Sequence, residues 1–112
     1  MREVVIVSGA RTPIGDFLGT LKDFTHVQLG AIAAKFAIER AGIKAGDIDE
    51  VQVGHCLQGG AKGNPARQVQ NLAGIPWDTP AATINQQCAS AMRALEIATE
   101  RIMLGKIETA LV

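Results

Sequence analysis

A cysteine stands between a short β-prone run and a helix-forming segment, and it is the residue best suited to covalent chemistry. The run Ala82-Thr83-Ile84 is followed by the polar residues Asn85-Gln86-Gln87 and then by Cys88. A cysteine in the first turn of a helix lies beside unpaired backbone N–H groups and the positive end of the helix dipole. Both favour the thiolate, which is the nucleophilic form. The pattern therefore predicts Cys88 as a nucleophile.

The helix after Cys88 is predicted from the spacing of its apolar residues. They recur every three or four positions and share one face, charged residues take the other side, and Gly105 supplies a stop. The apolar residues are Ala91, Met92, Leu95, Ala98 and Ile102, and the charged ones are Arg93, Glu96 and Glu100. Small alanines would let neighbouring backbone approach closely, which predicts a buried helix. The alternative for Cys88 is a space-filling role, since free cysteine is among the most buried residue types.

The histidines and the second cysteine offer weaker chemistry. His26 falls in the first turn of another predicted helix, where a solvated polar role is expected. His55 and Cys56 are adjacent on a predicted strand, so their side chains point to opposite faces and do not pair. The two cysteines lack CxxC and histidine-ligand spacing, which argues against a disulfide scaffold or a zinc site. We therefore expect free thiols in a reducing compartment.

Composition limits the possible functions. A chain of 112 residues with 47% hydrophobic and 20% charged residues builds one modest core. Eleven basic residues balance eleven acidic ones without a basic run, so no nucleic-acid partner is expected. No apolar run approaches the length of a membrane span, and the first residues lack the layout of a signal peptide, which predicts a cytoplasmic protein without a membrane partner. GxGxxG and GxxxxGK[ST] motifs are also missing, which disfavours nucleotide binding through them.

Strands and helices are predicted to alternate. Residues 4–7 form a β-branched run that is typical of a strand buried on both faces. A helix follows from Thr25, the N-cap of a capping box with Gln28, to Ala41, and Gly42 ends it. Its predicted apolar face consists of Leu29, Ile32, Ala33, Phe36 and Ala37.

The second half continues the alternation. A strand lies within residues 48–56, and Asn64 as N-cap with Pro65 begins another helix. Trp77 is predicted to pack under the turn-rich link that leads to the strand before Cys88. Residues 108–112 begin a last strand, which indicates that the chain stops within an element. Such a chain predicts an α/β βαβαβαβ layer whose sheet is mainly parallel but mixed, and ligands gather beyond the carboxyl ends of such strands. Because Cys88 lies there, the reactive role is favoured over space filling.

Three motifs together resemble the N-terminal part of the thiolases. They are Ala10-Arg11-Thr12-Pro13-Ile14-Gly15, then Gln58-Gly59-Gly60 with Asn64-Pro65-Ala66-Arg67-Gln68, and finally Asn85-Gln86-Gln87-Cys88-Ala89-Ser90. Each motif alone would be weak, but their order and separations match the family along the whole chain. The resemblance implies a thiolase-like fold in which residues 1–112 form the N-terminal part of the N-domain.

The resemblance also implies a reaction. Thiolases are acyl-CoA C-acyltransferases, so Cys88 is expected to attack a thioester, carry the acyl group, and pass it to the enolate of a second acyl-CoA. Condensation of two acetyl-CoA molecules gives acetoacetyl-CoA and CoA, and thiolysis is the reverse. The backbone N–H of Cys88 would help to hold an oxyanion. Coenzyme A thioesters are the substrates, and no metal or further cofactor is expected.

Several family features fall outside these residues. The thiolase motifs Asn-Glu-x-Phe, Gly-His-Pro and Cys-x-Gly-Gly-Gly and the CoA-covering loop domain are absent, so we expect a truncated chain that is inactive by itself. The resemblance implies a homo-oligomer, a dimer or a dimer of dimers, formed together with the downstream portion and with residues 82–84 at the subunit interface. Two alternatives stay open, namely a ketoacyl or hydroxymethylglutaryl synthase relative and a non-catalytic thiolase-like scaffold or lipid-binding module.

Overall fold

Helices and strands alternate from residue 26 onward in a computed structural model that describes residues 1–112. In chain order they are α1 (His26–Ala41), β1 (Glu50–Gly54), α2 (Pro65–Leu72), β2 (Ala81–Ile84), α3 (Ser90–Met103) and β3 (Ala110–Leu111), with a short 3-10 helix at Ala45–Asp47. The predicted α/β class is confirmed. None of the helices has the length and apolar character needed to cross a bilayer.

The sheet consists of three strands in the order β2-β1-β3, so β1 is central. Val51 of β1 is paired with Ala81 on one side and with Leu111 on the other. Both pairings are parallel, so the sheet is parallel throughout rather than mixed. Parallel neighbours need long crossover connections, and these contain α2 and α3.

The two faces of β1 differ because successive side chains point to opposite sides. Val51 belongs to an apolar core with residues of α1 and α2. This core contains Val27, Ala34, Ile38, Ile48, Val51, Ala66, Val69, Ala73 and Ile75. On the other face Glu50 is only 5% exposed, and its carboxylate accepts a hydrogen bond from Arg101 Nε of α3 at 2.6 Å. This ion pair compensates a buried charge that would otherwise be strongly destabilising.

Helix α1 begins and ends as predicted. Thr25 Oγ1 accepts from the Gln28 N–H at 3.1 Å, the Gln28 side chain accepts from the Thr25 N–H at 2.9 Å, and Gly42 ends the helix at φ 69°. The predicted apolar face is wrong, however. The buried residues are Val27, Ala31, Ala34 and Ile38. α1 approaches α2 so closely that a Cβ on Gly30 would lie 2.9 Å from Val69 Cγ2, which favours small side chains at this contact.

Residues 4–7 do not form the predicted buried strand. They pair with no neighbour, and Ile6 is 78% exposed. The segment after them is attached to α1 instead, where the Ser8 hydroxyl donates to the Ala37 carbonyl at 2.6 Å. A β-branched run becomes a strand only where it pairs with a neighbour, and residues 4–7 join neither β2 nor β3, the two outer strands.

Three further predictions are wrong in detail. Trp77 does not pack under its loop, since it is 81% exposed and only its carbonyl is engaged, by the Arg67 guanidinium. Asn64 is the N-cap of α2 and Pro65 its first residue, as predicted, but the Asn64 side chain does not cap the helix. Its amide donates to the Ala81 carbonyl at 3.0 Å and its Oδ1 accepts from the Thr83 hydroxyl at 2.7 Å. Helix α3 is buried on one face only. That face contains Ser90, Ala94 and Ala98.

Candidate active site

The segment between β2 and α3 makes a sharp turn that carries Cys88, and we call residues 85–89 the elbow. Before it, the Ile84 carbonyl accepts from the His55 N–H at 2.9 Å, which ties the carboxyl ends of β1 and β2 together. Within it, Gln87 has φ 51°, a left-handed conformation that is unfavourable for a residue with a side chain. The elbow places Cys88 beyond the carboxyl end of β2, with its side chain exposed.

Cys88 does not lie in the first turn of the helix, which corrects the prediction. The N-cap of α3 is Ala89 and the first helical residue is Ser90. The left-handed residue at position 87 accounts for this offset, because it bends the chain out of a helical path. Cys88 therefore lies just outside the helix start, still next to the positive end of its dipole.

The backbone N–H of Cys88 is not used to build the turn. The N–H groups of Ala89 and Ser90 donate to the carbonyls of Gln86 and Gln87, both at 3.1 Å, whereas that of Cys88 is absent from the turn and loop hydrogen bonds. An unused N–H beside an exposed thiol is the arrangement that an oxyanion-binding donor requires.

Side chains on both sides of Cys88 hold the elbow in its conformation. Asn85 Oδ1 accepts from the Gln87 N–H at 3.2 Å. Ser90 is 4% exposed, and its Oγ accepts from the Gln86 N–H at 2.8 Å while donating to the Gln87 carbonyl at 2.6 Å. These bonds offset the strain at residue 87. We did not predict the role of Ser90 from the sequence, although a serine just after the candidate nucleophile was a usable signal.

A glycine on β1 sets the distance between the sheet and the start of α3. A Cβ on Gly54 would lie 2.2 Å from the backbone nitrogen of Ala91 and 2.5 Å from the carbonyl carbon of Ser90. Only a residue without a side chain permits this approach. The alanines of α3 predicted that neighbouring backbone approaches this helix closely, and β1 does so at Gly54. A glycine at the end of a strand was the sequence signal for this approach.

The structure brings His26 and His55 together, which sequence reasoning missed. Their ring centroids are 4.6 Å apart with an interplanar angle of 62°, an edge-to-face contact. His26 Nε2 is buried without a hydrogen-bond partner, so the solvated role predicted for this residue is wrong. Burial lowers the pKa of His55 below its ordinary value, and the nearby His26 lowers it further, while a hydrogen bond with the Leu57 backbone acts in the opposite direction.

The candidate residues do not form a single constellation. Neither imidazole makes a hydrogen bond with Cys88, and the thiol of Cys56 is half-buried. No group of three or more potential metal ligands is present. The chain brings together the exposed thiol of Cys88, its unused backbone N–H, and an elbow held by side-chain hydrogen bonds.

The third of the motifs that carry the resemblance contains this elbow, since it runs from Asn85 to Ser90. Over residues 4–112 the sequence matches the family described as the thiolase N-terminal domain. The chain belongs to this family. The predicted family membership is therefore confirmed.

Thiolase relatives agree in sequence and in structure. A cytosolic acetyl-CoA acetyltransferase of Gibberella zeae is 52% identical over 102 residues, which are 91% of this chain and 26% of the relative. A mitochondrial acetyl-CoA acetyltransferase of Macaca fascicularis is 49% identical over 105 residues, 94% of this chain and 25% of the relative. The solved acetyl-CoA acetyltransferase of Syntrophomonas wolfei superposes with a TM-score of 0.89 at 45% identity, covering 95% of this chain and 27% of that one. The thiolase-like fold is confirmed, and the chain spans about a quarter of the length of these thiolases.

Proposed function

We propose that this chain supplies the acyl-accepting cysteine of an acyl-CoA C-acyltransferase of the acetyl-CoA acetyltransferase type. The observation that carries the proposal is the elbow, which holds an exposed thiol beside an unused backbone N–H at the start of a helix. The names of the relatives, all acetyl-CoA acetyltransferases, support the substrate class.

The chemistry follows from the atoms of the elbow. The Cys88 thiolate attacks the thioester carbonyl of an acyl-CoA, a new S–C bond forms, and the CoA thiolate leaves. In the tetrahedral intermediate the negative oxygen lies within reach of the Cys88 N–H, a donor that is already oriented and needs no reorganisation. The acyl group then passes to the enolate of a second acyl-CoA, which gives acetoacetyl-CoA when both substrates are acetyl-CoA.

The second half-reaction needs groups from elsewhere. Removing a proton from an acetyl methyl carbon requires a base, and general acid–base groups contribute about 10²–10⁴-fold each. His26 and His55 form a pair of their own and make no hydrogen bond with Cys88. We propose that residues 1–112 act as the N-terminal part of the thiolase N-domain and that the base comes from the thiolase sequence that this chain does not span.

An assembled enzyme tests the proposal. It joins residues 1–112 to the remainder of the Syntrophomonas wolfei acetyl-CoA acetyltransferase, and acetoacetyl-CoA thiolysis is measured for it, for the 112-residue chain alone, and for the assembled C88S variant. We expect thiolysis only in the first. Activity in C88S would show that Cys88 is not the acyl-accepting nucleophile. Activity in the isolated chain would contradict the need for catalytic groups from the rest of the thiolase.

The proposal includes partners and location. No metal or further cofactor is needed for thioester exchange, so dialysis of the assembled enzyme against EDTA should leave its rate unchanged. We propose a homo-oligomer in which residues 82–84 lie at the subunit interface, and the position of β2 at the edge of the sheet supports this. We also propose a cytoplasmic location. Cell fractionation tests it, and a mitochondrial protein is the competing outcome, since relatives of both names exist.

A further inference from the structure

The hydroxyl of Ser90 is used in an unexpected direction. Ser90 is the first residue of α3, and the N-cap before it is Ala89, which has no side chain able to cap the helix. The Ser90 hydroxyl does not compensate for this missing cap. It points back into the elbow, accepting from the Gln86 N–H at 2.8 Å and donating to the Gln87 carbonyl at 2.6 Å.

The second of these bonds fixes the peptide unit that contains the candidate oxyanion donor. The Gln87 carbonyl and the Cys88 N–H belong to the same peptide group. In a trans peptide the C=O and N–H point in opposite directions, and the chain contains no cis peptide bond. Holding the Gln87 carbonyl toward the buried Ser90 therefore turns the Cys88 N–H away from the turn, toward the exposed side where the thiol lies.

The restraint acts next to a residue, Gln87, whose backbone is already strained. At φ 51° this residue is strained by about 1–3 kcal/mol relative to ordinary backbone. Rotation of the Gln87–Cys88 peptide, through ψ of Gln87 and φ of Cys88, would turn the Cys88 N–H inward. Two bonds oppose the rotation, from the Ser90 hydroxyl and from the Ser90 N–H at 3.1 Å, and only the first depends on a side chain.

We propose that Ser90 is a positioning residue, whose hydroxyl locks the Gln87–Cys88 peptide so that the Cys88 N–H faces the reacting oxygen. The proposal rests on the acyltransferase function, because it assigns that N–H to the oxyanion. It adds a requirement that neither the thiol nor the helix start imposes, namely a hydroxyl at position 90.

The first test is structural and uses the 112-residue chain as it exists. Amide hydrogen exchange of Gln86, followed by NMR, should be faster in S90A than in the wild type and unchanged in S90T, which keeps the hydroxyl. T99A is the matched control, since Thr99 lies on the same helix and its hydroxyl donates to the Leu95 carbonyl at 2.8 Å. The Gln86 N–H donates to the same hydroxyl that holds the Gln87 carbonyl, so its exchange reports whether that hydroxyl is seated in the elbow. Exchange at Gln86 that is insensitive to S90A, or equally sensitive to T99A, would disprove the restraint.

The second test is kinetic and uses the assembled enzyme. Losing the orientation of one oxyanion donor costs about 10²–10³-fold in kcat when the loss is complete, and a partial loss of about 10–100-fold is expected for S90A because the Ser90 N–H remains. KM should change less than about twofold, since the donor acts on the transition state. T99A should keep the wild-type kcat, and S90T should recover most of it.

The outcomes separate this inference from the function on which it rests. An active wild-type enzyme with an unchanged kcat in S90A would overturn the role of Ser90 and leave the acyltransferase function standing. An inactive wild-type enzyme would overturn the function, and the role of Ser90 in catalysis with it. If S90A does not fold, the S90T variant decides. A folded S90T protein that keeps slow Gln86 exchange but has a kcat lower by about 10-fold would show that the hydroxyl at position 90 does not determine the rate.

Discussion

Replacing Gly54 with alanine should separate the sheet from the start of α3. Gly54 is the last residue of β1, and its φ lies outside the left-handed region that favours glycine, so an alanine meets no backbone strain there. The whole effect must therefore come from the added methyl group. That group would lie 2.2 Å from the Ala91 nitrogen, 2.4 Å from the Ala91 Cα and 2.5 Å from the Ser90 carbonyl carbon.

The magnitude follows from these distances. Ordinary van der Waals contact begins near 3.4 Å, so α3 must retreat from β1 by about 1 Å. No rotamer change can relieve a clash between a Cβ and backbone atoms, so the cost belongs at the upper end of overpacking, about 3 kcal/mol. For a domain of this size that corresponds to a fall in Tm of roughly 12–20 °C. Since Cys88 precedes α3 directly, the same retreat should displace the thiol, and a displacement of this size can lower a rate by about 10²-fold.

Urea unfolding of the 112-residue chain measures the first quantity, and thiolysis by the assembled enzyme measures the second. G46A is the matched control, because a Cβ at Gly46 meets nothing within 4 Å and its φ is also outside the left-handed region. The control should leave the free energy of unfolding unchanged or slightly higher, since alanine reduces the entropy of the unfolded chain. If G54A lowers the free energy of unfolding by less than about 1 kcal/mol, the close approach of β1 and α3 is not a constraint on this fold.

Three further predictions concern the thiols, the strand edge and the histidine pair. Iodoacetamide should alkylate Cys88 faster than Cys56, and acetyl-CoA should protect Cys88 in the assembled enzyme; faster alkylation of Cys56 would contradict its assignment. Because residues 82–84 are proposed to lie at the subunit interface, T83K should convert an oligomeric assembled enzyme to smaller species in sedimentation. A monomeric assembled enzyme without the substitution would contradict the proposed interface. The folded state holds the pKa of His55 below the ordinary 6.5, so the unfolded chain binds more protons as the pH falls through that value, and stability is full above it and declines below it. The decrease in Tm between about pH 7.5 and about pH 5.5 should therefore be smaller in H55Q than in the wild type, and an equal decrease would show that His55 does not contribute.

Local signals predicted the elements that depend on local contacts. The capping box at Thr25 and the glycine stop at Gly42 fix α1 within its own residues, so the sequence predicted both ends. Pro65 likewise marks the first turn of α2. The parallel sheet followed from the alternation of strands and helices, because parallel strands require crossovers of this length.

Features that depend on distant partners were missed. The run at residues 4–7 has the composition of a strand but pairs with neither outer strand of the sheet, which composition alone could not reveal. The buried side of α1, formed by Val27, Ala31, Ala34 and Ile38, also has the three-to-four spacing of a helical face, so periodicity within α1 did not distinguish it from the predicted face. The contact of His26 with His55 joins residues far apart in the chain, so the residues around each histidine contain no signal that predicts it.

At the candidate site the sequence predicted the position of Cys88 more closely than its conformation. The strand, the turn and the helix are in the expected order, yet the helix begins only at Ser90. The left-handed φ of Gln87 causes this difference, and glutamine carries no special preference for that conformation. The Ser90 hydroxyl that supports it could be recognised only once its two backbone partners were in place.

The central position of β1 has a consequence for how the chain folds. Its first neighbour, β2, follows in the chain after one helix, α2. Its second neighbour, β3, follows only after β2 and α3, and it pairs Ala110 with Glu50. Contacts between such distant residues form slowly because the intervening loop must close first. During synthesis on the ribosome, one edge of β1 therefore stays open until residues 110–111 have emerged. An intermediate with an unpaired strand edge is prone to join another chain, so slow translation through α3 should raise aggregation of the nascent protein, whereas slow translation through α1 should not.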